Sequence, residues 1–223
     1  CMVKLFNRKQ MTELIKMIAV IDYGAGNIRS VYKALKHIGC ECVITRDKDE
    51  IMNADGAVLP GVGSFGDTMD TMNSYGIKDT VIKYINSEKP FLGICLGLQL
   101  LFPESEESPN VKGLSVFDGT ITKIPSGEGL KIPHIGWISL KINEKSRLFK
   151  GIEQNAYVYF VHSYFLNASD RSIVSAQTEY GVTIDAAVEK GNVFATQFHP
   201  EKSGKTGLKI LRNFADIVKG REE

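Results

Sequence analysis

Long apolar runs are missing from this 223-residue chain. The longest, Pro90 to Phe102, is too short to cross a bilayer as a helix, which excludes a helical membrane span. An excess of one charge is missing too. Lys and Arg number 27 against 26 Asp and Glu, a formal charge of +1 that offers no footprint for nucleic acid or an anionic surface. Cysteine is scarce, and Cys1, Cys40, Cys42 and Cys95 show neither a disulfide framework nor zinc-type spacing. That usage reads as a reducing, cytoplasmic chain without a metal. Cys40 and Cys42, at the start of an expected strand, are read as pointing to opposite faces and therefore unpaired.

Two glycine-rich loops lack what a nucleotide site needs. Pro60-Gly61-Val62-Gly63-Ser64-Phe65-Gly66 has no Gly-Lys-Ser/Thr ending, so it is a poor phosphate loop. Gly24-Ala25-Gly26 carries Arg29 where the third glycine of a dinucleotide fingerprint would fall. No cofactor is expected. Residues 1–16 lack the apolar core of a signal peptide and are read as an N-terminal extension or expression remnant. With no low-complexity linker and no repeat, residues 17–223 are expected to form one domain.

What is present alternates. Met17 to Ile21 is a continuous apolar run, as in a parallel strand buried on both faces. Ile28, Val31, Leu35 and Ile38 then recur at helical spacing, and Gly39 is placed to stop that helix. Strands are expected over Glu41–Thr45, Gly56–Leu59 and Phe91–Ile94, with helices over Lys48–Asn53, Ile77–Ile85 and Leu96–Phe102. The second half turns to short β-rich runs: Phe117–Ile124, Gly136–Ile142, Tyr157–Leu166, Ile173–Thr178, Ala186–Glu189 and Val193–Phe198. A helix over Lys205–Val218 closes the chain. This is an α/β pattern: an open, mostly parallel sheet flanked by helices, with antiparallel strands added in the second half.

The chemistry concentrates at Gly93-Ile94-Cys95-Leu96-Gly97, between an apolar strand and an apolar helix. A reactive side chain on a sharp strand-to-helix turn, with glycine on both sides, is a nucleophile elbow. A free thiol has a pKa of about 8.5, so it needs a base to attack at neutral pH. Of four histidines, His37 reads as solvated, and His134 and His162 as hydrogen-bonded structural residues. His199 ends an apolar strand, where open α/β sheets place their sites. Glu201 follows it across Pro200, and an extended segment would put the two side chains together. Sulfur, imidazole and carboxylate are the parts of a Cys-His-acid triad. The Leu96 N–H supplies one oxyanion donor, and the Pro60–Gly66 loop could supply a second.

These stretches, with Asp22-Tyr23-Gly24-Ala25-Gly26-Asn27, Pro133-His134-Ile135-Gly136-Trp137, Tyr159-Phe160-Val161-His162-Ser163-Tyr164 and Gln197-Phe198-His199-Pro200-Glu201-Lys202-Ser203, run in one family's order from residue 17 almost to the end. The chain resembles the class I, triad-type glutamine amidotransferases, and within them the glutaminase subunit of imidazole glycerol phosphate synthase. The resemblance implies that Cys95 attacks the glutamine side chain, His199 moves the protons and Glu201 holds His199. It implies oxyanion donors at Val62 and Leu96, the Val62 amide flipping on partner binding. It places Gly63, Gln99, Glu107, Ser163 and Tyr164 around L-glutamine, and Asn27, Lys202 and Trp137 at the face of a (β/α)8-barrel synthase subunit in a heterodimer. Ile135 and Ile138 depart from the family's usual methionine and asparagine, and Glu179 to Ile184 departs as well. Two other readings stay open: a paralogue feeding ammonia to a related barrel in sugar amidation, and a partner-independent hydrolase of γ-glutamyl substrates. A binding module that has lost its chemistry is disfavoured by the complete triad.

Overall fold

The computed structural model describes residues 16–24, 26–127 and 129–221. Of the expected N-terminal extension only Lys16 falls within this range, and Cys1 lies outside the described residues. Lys16 pairs with Asp55 at 2.8 Å, and Asp55 also accepts the Met17 N–H at 2.8 Å. In chain order the first half runs β1 (Met17–Ile21), α1 (Ile28–His37), β2 (Glu41–Thr45), α2 (Lys48–Asn53), β3 (Gly56–Gly61), α3 (Phe65–Ser74), α4 (Lys78–Asn86) and β4 (Phe91–Cys95). The second half runs α5 (Leu96–Gln99), β5 (Glu104–Ser105), β6 (Gly119–Lys123), β7 (His134–Ser139), β8 (Lys141–Ile142), β9 (Tyr157–His162), β10 (Tyr164–Ala168), β11 (Val174–Glu179), β12 (Thr183–Lys190), β13 (Val193–Thr196) and α6 (Gly204–Lys219).

Eight strands form the main sheet in the order β2-β1-β3-β4-β13-β12-β11-β8. The first five are parallel, and the last three add antiparallel. Residues alternate between two cores. Ile18, Val20, Val58, Leu92 and Ile94 pack with Leu35 of α1 and Leu211 and Phe214 of α6. Ala57, Leu59 and Phe91 pack with Ile51 of α2, Met69 and Met72 of α3, and Val81 and Tyr84 of α4. Both faces are covered, which is why these strands read as unbroken apolar runs. Each large side chain so buried contributes roughly 1.5–3 kcal/mol.

Three local expectations need correction. Helix α3 was not anticipated, because its first turn lies inside the glycine-rich loop. Ser64 caps it, accepting from the Asp67 N–H at 3.3 Å and donating to the Asp67 carboxylate at 2.7 Å, while Phe65, Met69 and Met72 fill the core. The helix after the elbow spans only Leu96–Gln99 before the chain turns at Leu100 to Phe102. Pro103 cannot continue a helix and restricts the residue before it. Cys40 and Cys42 do not point apart. Side chains two residues apart along extended backbone share a face, and both thiols sit buried in the same core, each free.

Candidate active site

The elbow forms where β4 ends. Cys95 has φ 56° and ψ −106°, a backbone state that L-residues rarely adopt and that surrounding structure must impose. What imposes it is close packing. A Cβ on Gly97 would lie 2.0 Å from the Leu59 carbonyl oxygen, and one on Gly93 would lie 2.6 Å from the Gly97 oxygen. Only glycine lets α5 start this near the β3 and β4 backbones. Since α5 is a single turn, its help to the sulfur is the free N–H groups of that turn rather than a long dipole.

Strand β13 lies beside β4, with Thr196 opposite Ile94, and so carries the chain past Cys95. His199 and Glu201 then meet, Nδ1 to Oε1 at 2.8 Å, with both side chains sealed from solvent. The expected extended segment is instead a 3₁₀ turn, Pro200–Lys202, closed by the Lys202 N–H on the His199 carbonyl at 3.0 Å. Proline at its first position is preset for that turn. The backbone is pinned further, with the His199 N–H on the Tyr159 carbonyl at 3.0 Å and the Ser203 hydroxyl on the His199 carbonyl at 2.7 Å.

Asn27, which stands at φ 68° just before α1, donates from Nδ2 to Glu201 Oε1 at 2.6 Å and lies 3.4 Å from His199 Nδ1. It was expected at a partner face, yet its side chain serves the acid. Burial works against a charged His199, but the Cys95 sulfur and the Glu201 carboxylate outweigh it and raise its pKa to about 9. Nδ1 being engaged, His199 Nε2 and Glu201 Oε2 are buried with no hydrogen-bond partner among the described residues.

A cavity of 260 Å³ opens on the sulfur. Val62, Gly63, Leu96, Gln99, Glu107, Ser163 and Tyr164, all expected at the site, line it with Cys95. Glu107 also accepts the Phe65 N–H at 2.7 Å, capping α3. Pro133, Val161 and His162 complete the wall. A larger groove of 830 Å³ around Arg147, Glu189 and Asn192 contains no member of the triad.

The ribbon β7–β9 forms one side of this region. Its register pairs His134 with His162 and Trp137 with Tyr159. One face buries His134, Val158, Phe160 and His162, while the other exposes Ile135, Trp137 and Tyr157 at 60%, 50% and 61%. Lys202 is exposed too. His134 opens β7, and its ring stacks on that of Tyr180 with centroids 4.0 Å apart. As expected, His37 is exposed and the other two histidines are hydrogen-bonded in the interior. His162 Nδ1 lies 2.9 Å from the Tyr164 carbonyl, which can only accept. Nε2 is therefore the acceptor for His134 Nδ1 at 3.2 Å. Burial pushes the His162 pKa down to about 4 and lowers that of His134.

Sequence reasoning missed Gln197, whose Nε2 lies 3.7 Å from Cys95 Sγ, and the pocket role of His162. A signal existed for the first: a polar amide in the apolar strand end Phe194 to Phe198 needs a buried partner.

The family model for glutamine amidotransferase class-I matches residues 19–218. Two curated relatives are each 50% identical over 203 residues. They are the imidazole glycerol phosphate synthase subunits HisH of Caldanaerobacter subterraneus subsp. tengcongensis, covering 91% of this chain and 99% of that one, and of Methanothermobacter thermautotrophicus, covering 91% and 100%. The solved structure of PurLQS from Thermotoga maritima shares the fold, with a TM-score of 0.71 at 22% identity over 92% of this chain and 100% of that one. The chain belongs to the class-I glutamine amidotransferases and, within them, to the HisH family.

Proposed function

We infer that this chain hydrolyses L-glutamine at Cys95 and passes the ammonia to a (β/α)8-barrel synthase subunit that makes imidazole glycerol phosphate in histidine biosynthesis. The observation that carries the reading is the sealed 2.8 Å contact of His199 with Glu201 beside a cysteine on a strained, glycine-flanked turn. The cavity of 260 Å³ falls just below the ~300–1,000 Å³ typical of larger ligands, a size suited to one amino acid.

In this reading His199 takes the Cys95 proton and the thiolate attacks the glutamine side-chain carbon. The carbonyl oxygen becomes an oxyanion held by the N–H groups of Leu96 and Val62. The imidazolium, steadied by Glu201, returns its proton to the leaving nitrogen, and ammonia departs as the thioester forms. Water, deprotonated by His199, then attacks the thioester. Collapse of that second oxyanion frees glutamate and restores the thiol. Gly63, Gln99, Glu107, Ser163 and Tyr164 are assigned to holding the substrate.

Ammonia in open water would be protonated and lost as a nucleophile, so a docked acceptor subunit follows from the chemistry. The exposed apolar face of Ile135, Trp137 and Tyr157, with Lys202 nearby, suits such a partner. Asn27, bonded to the Glu201 that precedes Lys202, is assigned to the same face. We take residues 17–223 as the amidotransferase domain. The free buried thiols Cys40, Cys42 and Cys95 suit a reducing cytoplasm.

Two assays test the reading. Cys95→Ala is expected to abolish glutamine hydrolysis while folding normally, and full hydrolysis by that variant would end it. The wild-type chain should be weakly active alone and be stimulated by the barrel subunit with its ligand. Strong activity that ignores the partner would favour the γ-glutamyl hydrolase instead.

A further inference from the structure

Gln197 follows β13, is 0% exposed, and takes no part in lining the substrate cavity. Its Nε2 lies 3.7 Å from Cys95 Sγ, within reach of a hydrogen bond to sulfur. A chain of donors fixes which way this amide faces. The Tyr164 carbonyl can only accept, so Gln99 must present its Nε2 there, at 3.1 Å. The second hydrogen on Gln99 Nε2 goes to Gln197 Oε1, also at 3.1 Å. With its oxygen committed, Gln197 has to turn its own N–H₂ group to the sulfur. The same Tyr164 carbonyl receives His162 Nδ1, so the line from the buried histidine pair to the nucleophile has a single consistent polarity.

We propose that Gln197 is a positioning residue for the nucleophile, its side-chain amide donating to the Cys95 sulfur and holding the thiolate in line for attack. The proposal rests on Cys95 being the nucleophile, as inferred above. A donor aimed at an anion is stronger than one aimed at a neutral group. The amide therefore favours the thiolate over the thiol, and it does so without touching glutamine. A filler role in the core would require neither the directed amide nor any link to the charge on sulfur.

The test compares wild type with Gln197→Met, which keeps the volume and removes the donor, and with Gln197→Glu, which keeps the acceptor for Gln99. Iodoacetamide alkylation of Cys95 is followed against pH, alongside thermal melting and glutamine hydrolysis in the complex with the barrel subunit. Among the described residues the other titratable groups around the sulfur are His199 after β13, Tyr23 after β1, His162 at the end of β9, and Glu107 and Tyr164 across the cavity, and all are left intact. In Gln197→Met the pH midpoint of alkylation should rise by about one pH unit, the size expected for losing a hydrogen bond to a charged group. Its kcat should fall about ten-fold with KM unchanged within about two-fold, since binding and chemistry separate in this way. Gln197→Glu should move the midpoint further up, a carboxylate opposing the thiolate.

A Gln197→Met protein that melts like wild type, with unaltered midpoint and kcat, overturns the proposal. Should that variant fail to fold, wild type itself decides, by the nitrogen signals that follow. Wild type carrying ¹⁵N-labelled glutamine decides independently: the Gln197 side-chain N–H signals must follow the thiol titration, and signals that stay fixed overturn the proposal. If Cys95→Ala still hydrolyses glutamine, it is the parent reading that fails. An inert Gln197 substitution in a Cys95-dependent enzyme fails only this one.

Discussion

Two buried histidine sites stand near Cys95, and their pKa values move in opposite directions. His199 faces a carboxylate and a sulfur, and its pKa rises to about 9. His162 faces a second imidazole and a carbonyl, and its pKa falls to about 4. Neither ring reaches water to any extent, being 0% and 6% exposed. Desolvation opposes the charged form in both, so the partner decides the sign. A ring kept chargeable can store and return a proton. A ring kept neutral can only hold a wall and orient a carbonyl.

Replacing the chargeable ring should break the comparison most severely. His199→Ala is expected to cost about 10⁶-fold in kcat for glutamine hydrolysis, close to the loss from removing the nucleophile, because members of a catalytic unit are not additive. A steady-state assay of the purified complex checks this. Glu201→Gln should cost about 10⁴-fold, as it keeps the shape but loses the charge that orients the ring. It should also alter stability at high pH. Folded His199 holds its proton up to about 9, against 6.5 for the model group, so its stabilisation is complete below 6.5 and lost as pH rises through 9. Without the carboxylate the folded pKa drops, so in a melting series the loss should still begin near 6.5 but end at lower pH and be smaller.

The neutral site predicts the mirror image. His162 binds a proton only near pH 4 when folded, so the unfolded chain takes up protons first as pH drops below 6.5. Its contribution is present above 6.5 and gone by about 4, a loss of about 3 kcal/mol. His162→Asn should flatten the melting profile across that window. An unchanged acid slope would mean that the ring does not set it. The smallest effect should come from Asn27→Ala, which removes one donor from Glu201. About a ten-fold drop in kcat is expected, the value of a hydrogen bond to a charged group, and unchanged kinetics would restrict Asn27 to the partner face.

Much of the fold was legible because its signals are local. Continuous apolar runs marked the central strands, and glycines around Cys95 marked the turn that only they permit. Helix α3 was hidden by its own loop, since Ser64 and Asp67 cap it from within a stretch that glycine makes look irregular. The His199 to Glu201 contact was foreseen for the wrong reason: a 3₁₀ turn, not an extended segment, brings the two together. Asn27 carried no comparable signal, and at Gln197 the sequence showed only that a buried amide needs a partner, not which one. Their partners lie 174 and 102 residues away, and no spacing rule reaches across that distance.

The sequence by itself determined the alternation of strands and helices, the elbow, and the pairing of His199 with Glu201, because each is written in residues that are neighbours along the chain. Only the tertiary structure decided which histidine stays chargeable, which amide faces the sulfur, and which strand face is left bare. Those outcomes depend on what β13, β9 and the residues before α1 bring into contact. Local chemistry is set by composition, whereas the environment that tunes it exists only once distant segments have packed.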